Sequence, residues 1–243
     1  MNIFNIALVS TFFPPKPNTP ERYCKLCETL DRRQPDLTLF ADEVHKLHNL
    51  AAIIRTCDAV GIPEIHLCNP DIRERQLRER SMGSSRWIDV KQHDCTVAAG
   101  KTLQAQDFKI YTAHFSDKVR LYHELDYTGP CALLVGSEKQ GVSPEAAEMA
   151  DEHVIIPMQG MVQSFNVSVA AIILMEAQRQ RQVVGLYDRN RILSNERPDI
   201  LFRWGYPELA RYCDERDLEH PQLDDEGQLI DPKKWYNQVK ALA

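Results

Sequence analysis

The chain has 243 residues, of which 43% are hydrophobic and 26% charged, and its formal net charge is −6. This is the composition of an ordinary globular protein, and no apolar run approaches the roughly 20 residues that a membrane-spanning helix requires. The seven cysteines lack regular spacing, which disfavours a disulfide scaffold and a structural metal and favours a reducing, cytoplasmic environment.

The predicted elements alternate between strands and helices. Residues 1–20 are rich in proline and are predicted to be a disordered extension. Thr19 before Pro20 predicts a helix over residues 20–33, and His48 and Asn49 are predicted to cap a second helix. Strands are predicted at 37–41, 64–68, 87–92, 109–115, 131–135 and 153–158, and further helices before residue 81 and at 96–106, from 144, from 167, at 207–216 and from 232.

This alternation predicts an α/β fold with a mainly parallel sheet and helices on both faces. The ligand site of such a sheet lies outside the carboxyl ends of its strands. We expect a core at residues 21–182, beginning with an N-terminal helix, and appended helices at residues 183–243.

Residues 153–182 contain an apolar run, a polar but uncharged loop, and a second apolar run. The pattern indicates a strand, a loop and a buried helix. The loop offers backbone groups together with the side chains of Gln163, Ser164 and Asn166, which suits a ligand bound through hydrogen bonds. The alternative is an ordinary turn in which Ser164 or Asn166 caps the helix.

Several common sites are excluded by the motifs. Gly136 and Gly141 have the spacing of a phosphate-binding loop, but Val142 stands where that loop requires lysine. The sequence contains neither the G-x-G-x-x-G fingerprint of dinucleotide sites nor the G-x-S-x-G elbow of hydrolases. We therefore expect neither a nucleoside triphosphatase, nor a dinucleotide-binding enzyme, nor a hydrolase of the G-x-S-x-G type.

Three segments together resemble the motifs of the SPOUT RNA methyltransferases, and closely those of the tRNA guanosine 2′-O-methyltransferase group known as TrmH. They are Asn49 with Arg55, the sequence LLVGSEKQG at residues 133–141, and IIPMQGMVQSFNVSVA at residues 155–170, which EAQRQR follows. The resemblance covers roughly residues 20–216. It implies a C-terminal trefoil knot, a homodimer and S-adenosyl-L-methionine as methyl donor, none of which periodicity alone predicts.

The resemblance also assigns roles to individual residues. At the reaction centre it places Asn49, Arg55, Glu138, Ser164 and Asn166. Backbone-level contacts to the adenosyl group are implied for Ala113, Gly136, Ile156 and Phe165. RNA contacts are implied for Arg22, Arg32, Arg33, Arg179 and Arg181. The family usually has threonine at Ala113 and leucine at Phe165, so these two side chains depart from its pattern.

Two roles remain open for Arg55. The family proposal makes this arginine the base that activates the ribose 2′-hydroxyl, helped by a substrate phosphate. A guanidinium does not readily give up its proton, so the second role is a clamp that orients the phosphate and stabilises the emerging alkoxide.

The sequence thus predicts 2′-O-methylation of a guanosine in the D-loop of tRNA, at position 18 by the resemblance. The expected partners are tRNA and a second copy of the chain, without DNA or a membrane. One alternative is the same reaction on ribosomal RNA. Another is a non-catalytic RNA-binding dimer with the same fold.

Overall fold

The computed structural model describes residues 18–72, 83–137, 139–161, 166 and 170–242. The chain divides into two compact units, Arg32–Arg191 and the pair of segments Met1–Asp31 and Ile192–Ala243. Most of the predicted N-terminal extension and most of the charged helix expected before residue 81 lie outside the described residues.

The larger unit is built on a parallel sheet of seven strands. The strands are β1 (Leu37–Asp42), β2 (Glu64–Cys68), β3 (Asp89–Gln92), β4 (Lys109–Thr112), β5 (Val119–Leu121), β6 (Cys131–Val135) and β7 (Glu152–Ile155). Their order across the sheet is β3-β2-β1-β6-β4-β7-β5, and every neighbouring pair is parallel. The predicted α/β class with a mainly parallel sheet is therefore confirmed, whereas the knot stays a prediction.

Helices cover both faces of this sheet, because alternate residues of the central strands are apolar on both sides. The helices of the unit are α2 (Leu47–Ala59), α3 (Thr96–Gln104), α4 (Pro144–Met149) and α5 (Ala170–Val183). Leu39 and Leu133 share one buried core with α2 and α5. Phe40 and Leu134 share the opposite core with α3 and α4.

The start of α2 differs from the prediction. The helix begins at Leu47 with Lys46 in the N-cap position, so His48 and Asn49 lie inside its first turn. Asn49 is buried there instead of capping the helix. Gly61 ends the connection after the helix with a positive φ of 86°, a conformation that favours glycine.

The smaller unit contains α1 (Pro20–Asp31), α6 (Arg197–Gly205), α7 (Pro207–Asp214) and α8 (Pro232–Leu242). Its core is formed by Phe202, Tyr206, Leu209 and Ala210, with Trp235 of α8 packed against them. The boundaries expected from the sequence, at residues 21–182 and 183–243, stay a prediction, because compactness alone does not test which segments fold together.

No helix in the described part of the chain is long and apolar enough to cross a membrane.

Candidate active site

Three residues predicted to bind the donor follow three neighbouring strands of the sheet. Ala113 follows β4, Gly136 follows β6 and Ile156 follows β7. Since β6, β4 and β7 are adjacent and parallel, the three residues lie at the same edge of the sheet. The backbone N–H of Ala113 also donates to the carbonyl oxygen of Leu134, at 3.2 Å. This edge thus presents neutral backbone and apolar groups to a ligand.

The loop between Gly136 and Gly141 is a tight, closed turn. The backbone N–H of Ser137 donates to Gly141 O, and the N–H of Gly141 donates to Ser137 O, each at 2.9 Å. A β-carbon on Gly136 would lie 2.0 Å from the carbonyl carbon of Gly141 and 2.1 Å from the nitrogen of Val142. Only glycine fits at position 136, because the backbone of the same loop occupies the space of a side chain. Glu138, within this loop, lies outside the described residues.

Asn49 and Asn166 bring the first and third segments together. The side-chain amide of Asn166 donates to Asn49 Oδ1 at 3.4 Å, a long hydrogen bond between residues far apart in sequence. Asn49 is buried and Asn166 is exposed, so the pair links the interior of α2 to the surface. Ser164 and Phe165 lie outside the described residues.

Arg55 lies on α2 with its side chain exposed. It forms no ion pair with any residue that the structure describes. An exposed guanidinium can turn toward an incoming phosphate and grip two of its oxygens. The exposure of Arg55 is compatible with both of its possible roles, the phosphate clamp and the base that activates the 2′-hydroxyl.

The predicted RNA contacts divide into exposed and buried arginines. Arg22, Arg32 and Arg179 are exposed. Arg179 donates to both carboxylate oxygens of Glu176, at 2.9 and 2.7 Å, and these hydrogen bonds lower the pKa of Glu176 below its ordinary value. All three guanidinium groups remain candidates for phosphate contacts.

The expectation that Arg33 and Arg181 contact RNA is corrected by their burial. Arg181 is fully buried and donates to Asp36 Oδ1 at 2.6 Å and to Gly129 O at 2.7 Å, among other acceptors. Arg33 is equally buried and donates to Asp58 Oδ1 at 2.6 Å. Buried, hydrogen-bonded guanidinium groups stabilise the fold and cannot reach a phosphate outside it.

Two buried or half-buried aspartates at the ends of β1 were not predicted. Asp36 accepts hydrogen bonds from Arg181 and Arg191. Burial would raise the pKa of Asp36, but the hydrogen bonds from Arg191 and Arg181 lower it below its ordinary value. Asp42 is buried and accepts hydrogen bonds from residues of two later segments. Nothing in the sequence around either aspartate indicates these distant partners.

No group of three or more histidine, cysteine, aspartate or glutamate side chains in the described residues could hold a metal ion. The described polar groups of the three candidate segments are instead the amides of Asn49 and Asn166, the guanidinium of Arg55 and backbone atoms. Such groups bind a neutral ligand by hydrogen bonds and an anion by charge.

Comparisons with known proteins agree on one family. The sequence profile described as the SpoU rRNA Methylase family matches residues 36–176, and that of SpoU, rRNA methylase, C-terminal matches residues 179–232. The tRNA (guanosine(18)-2′-O)-methyltransferase of Escherichia coli (strain K12) is 45% identical over 225 residues, which cover 91% of this chain and 98% of that protein.

Solved structures extend this likeness to three dimensions. The TrmH/SpoU tRNA modifying enzyme of A. aeolicus matches with a TM-score of 0.73 and 41% identity, covering 78% of this chain and 97% of that one. The SpoU methyltransferase AviRb from Streptomyces viridochromogenes, in complex with the cofactor AdoMet, matches with a TM-score of 0.54 and 26% identity. That match covers 63% of this chain and 59% of the other.

Proposed function

Because the chain belongs to the SpoU rRNA methylase family, we propose that it methylates the ribose 2′-hydroxyl of guanosine 18 in the D-loop of tRNA. The observation that carries this proposal is the 45% identity, over 98% of its length, to an Escherichia coli enzyme named for that reaction. The chain is thus a methyltransferase that uses S-adenosyl-L-methionine.

The sheet edge fits this methyl donor. Its adenosyl group is neutral and is best held by backbone hydrogen bonds and apolar contacts, which Ala113, Gly136 and Ile156 can provide together. We also assign Phe165 to this group, on the resemblance alone. When bound, the donor supplies an electrophilic methyl group. The protein must then orient the ribose hydroxyl toward that methyl group and assist the loss of the hydroxyl proton.

Arg55 is proposed to orient a phosphate next to the target ribose. Its exposed guanidinium can form two parallel hydrogen bonds to phosphate oxygens, which fixes both distance and angle. The same positive charge stabilises the negative charge that develops on the 2′-oxygen as its proton leaves. Asn49 and Asn166, which contact each other, are proposed to align the nucleotide together with Glu138 and Ser164.

Contacts to tRNA are proposed for three exposed arginines, Arg22 in the smaller unit and Arg32 and Arg179 in the larger one. Arg179 would exchange its ion pair with Glu176 for a phosphate, and such exposed ion pairs contribute little to stability. Phosphate contacts make the affinity for tRNA fall as salt concentration rises.

The proposed tRNA substrate also supports a cytoplasmic location for the protein.

A homodimer is also proposed, and exposed apolar side chains on α5 support it. Ile172, Met175 and Val183 lie on one side of the helix, and Met175 and Val183 are 60% and 75% exposed. A second copy of the chain would remove this surface from water. Arg179 lies on the same side of α5. Its proposed RNA contact therefore requires that it lie at the rim of the dimer interface, where its guanidinium stays exposed.

Replacing Met175 with Glu is expected to convert the dimer into a monomer, because burial at the interface would remove a carboxylate from water, and this desolvation costs more than a nearby cation restores. Sedimentation velocity should give a mass near twice 27.9 kDa for the natural chain and near 27.9 kDa for the variant. Gln106→Glu, which introduces the same carboxylate at an exposed polar residue outside α5, is the matched control and should stay dimeric. A natural chain that sediments as a monomer at micromolar concentration contradicts the dimer.

The reaction itself is tested with labelled S-adenosyl-L-methionine and separate pools of tRNA and ribosomal RNA. Label is expected in tRNA, and mapping of the modified ribose should place it at guanosine 18. Label confined to ribosomal RNA would favour the alternative substrate that the family description names. Binding of tRNA without any label would favour a non-catalytic RNA-binding protein.

A further inference from the structure

Asp42 connects three segments of the chain through one buried carboxylate. It ends β1 and is only 3% exposed. Its Oδ2 accepts hydrogen bonds from the backbone N–H of Ser143 at 3.0 Å and from the hydroxyl of Ser143 at 2.9 Å. Its Oδ1 accepts the hydroxyl of Thr96 at 2.5 Å. Both oxygens are thus engaged at the starts of α4 and α3, which makes burial of the carboxylate tolerable.

This anchor lies at the base of the tight loop after β6. Ala41 and Val135 are paired in the sheet, so Asp42 and Gly136 are the next residues on the two neighbouring strands. The chain leaves the sheet at Gly136, closes the turn, and returns at Ser143 to the carboxylate of Asp42. The sheet therefore fixes the first end of the loop, and Asp42 fixes the second.

The same aspartate also precedes the segment that carries Arg55. Glu43 follows it with a positive φ of 52°, and the backbone N–H of Glu43 donates to Cys68 O at 3.0 Å. The chain then enters α2, which carries Asn49 and Arg55. Asp42 thus lies shortly before the segment that carries Asn49 and Arg55. It also accepts the hydrogen bonds that hold the end of the loop after Gly136.

We propose that Asp42 is a positioning residue for the methyl transfer reaction. Through Ser143 it holds the loop at residues 136–141 in the geometry in which the backbone of Gly136 meets the adenosyl group. The inference rests on the proposed function, because it concerns the site of the same methyl donor. Asp42 acts through the loop and does not contact the donor, so its loss should weaken donor binding more than it slows the chemical step.

Asp42→Asn is expected to raise the Kd for S-adenosyl-L-methionine about tenfold and to change kcat at saturating donor by less than about threefold. Asparagine lacks the negative charge that strengthens the hydrogen bonds from Ser143 and Thr96, and its NH2 group cannot accept a hydrogen bond, so only one of these two sites keeps its acceptor. Ser143→Ala removes only the hydroxyl bond and should raise Kd about threefold. Thr96→Val is the matched control, since it removes a bond to the same carboxylate from α3 and leaves the loop anchored. Its Kd should stay within about twofold of the natural value.

Isothermal titration calorimetry gives Kd, circular dichroism reports folding, and hydrogen exchange reports the loop. Exchange at the backbone amides of residues 137–143 should become faster in Asp42→Asn than in Thr96→Val. The proposal is overturned if Asp42→Asn and Thr96→Val are equally destabilised and the Kd for S-adenosyl-L-methionine is unchanged in both. If Asp42→Asn fails to fold, an unchanged Kd in Ser143→Ala overturns the proposal instead. If the natural chain binds no S-adenosyl-L-methionine, the proposed function fails instead. The exchange rates then still decide whether Asp42 anchors the loop.

Discussion

Arg55→Ala is expected to lower the single-turnover rate of tRNA methylation by at least about a hundredfold, the size of effect seen when one group that stabilises a developing negative charge is removed. The Kd for S-adenosyl-L-methionine should stay within about twofold. Arg55 is exposed on α2 and does not contribute to the buried core, so its removal should leave the fold intact. Rapid-quench assays with labelled donor and excess enzyme measure the rate without interference from product release.

Two further variants sharpen this experiment. Arg55→Lys keeps the positive charge but loses the planar fork, so a partial rate would indicate that charge matters and a full loss would indicate that bidentate geometry matters. Lys101→Ala removes an exposed cation from α3, on the opposite face of the sheet, and should retain the natural rate. A natural single-turnover rate for Arg55→Ala would rule out both the base and the clamp.

The sequence predicted the sheet well where strands are apolar on both faces. The predicted strands at 64–68 and 131–135 have the observed limits. The second, CALLV, is a continuous apolar run, as expected for a strand covered on both faces. The first, EIHLC, alternates polar and apolar residues after Pro63. The position of the tight loop at residues 136–141 could also be predicted, because the spacing of Gly136 and Gly141 is typical of a loop. The structure adds the reason for glycine at position 136, which is the backbone of the same loop folded against its α-carbon.

Predictions from the sequence were wrong or incomplete where distant residues determine the environment of a polar side chain. Asn49 was predicted to cap α2, yet it is buried inside the first turn and contacts Asn166, which lies in a segment that local pattern cannot connect to it. Asp42 likewise has partners in two later segments. Local sequence contains the propensity of such residues for caps and turns, but it does not contain the tertiary partners that override this propensity.

Helical spacing in the sequence distinguishes Arg179 from Arg181. Ala170, Ile173 and Ala177 are buried on α5, and Arg181 continues this stripe at helical spacing. Arg179 lies off the stripe and is exposed. The resemblance implied the same RNA contact for both arginines, although residues two apart on a helix point in different directions.

Arg181→Met is therefore expected to lower the free energy of unfolding by about 3–5 kcal/mol, the usual result of removing one partner of a buried ion pair. Asp36 would keep Arg191, but the carbonyl oxygens of Tyr127 and Gly129 would lose the donors that now lie 2.8 and 2.7 Å away. Equilibrium unfolding in urea, followed by circular dichroism, measures the change as a lower midpoint at a similar slope.

The matched control is Arg179→Met, which makes the same substitution two residues away at an exposed position. Its stability should be close to that of the natural chain, whereas its affinity for tRNA should fall and become less dependent on salt. For Arg181→Met the opposite pattern is expected, with lower stability and an unchanged affinity of the folded fraction. Natural stability of Arg181→Met together with a specific loss of tRNA affinity would show that this guanidinium leaves the interior to contact RNA.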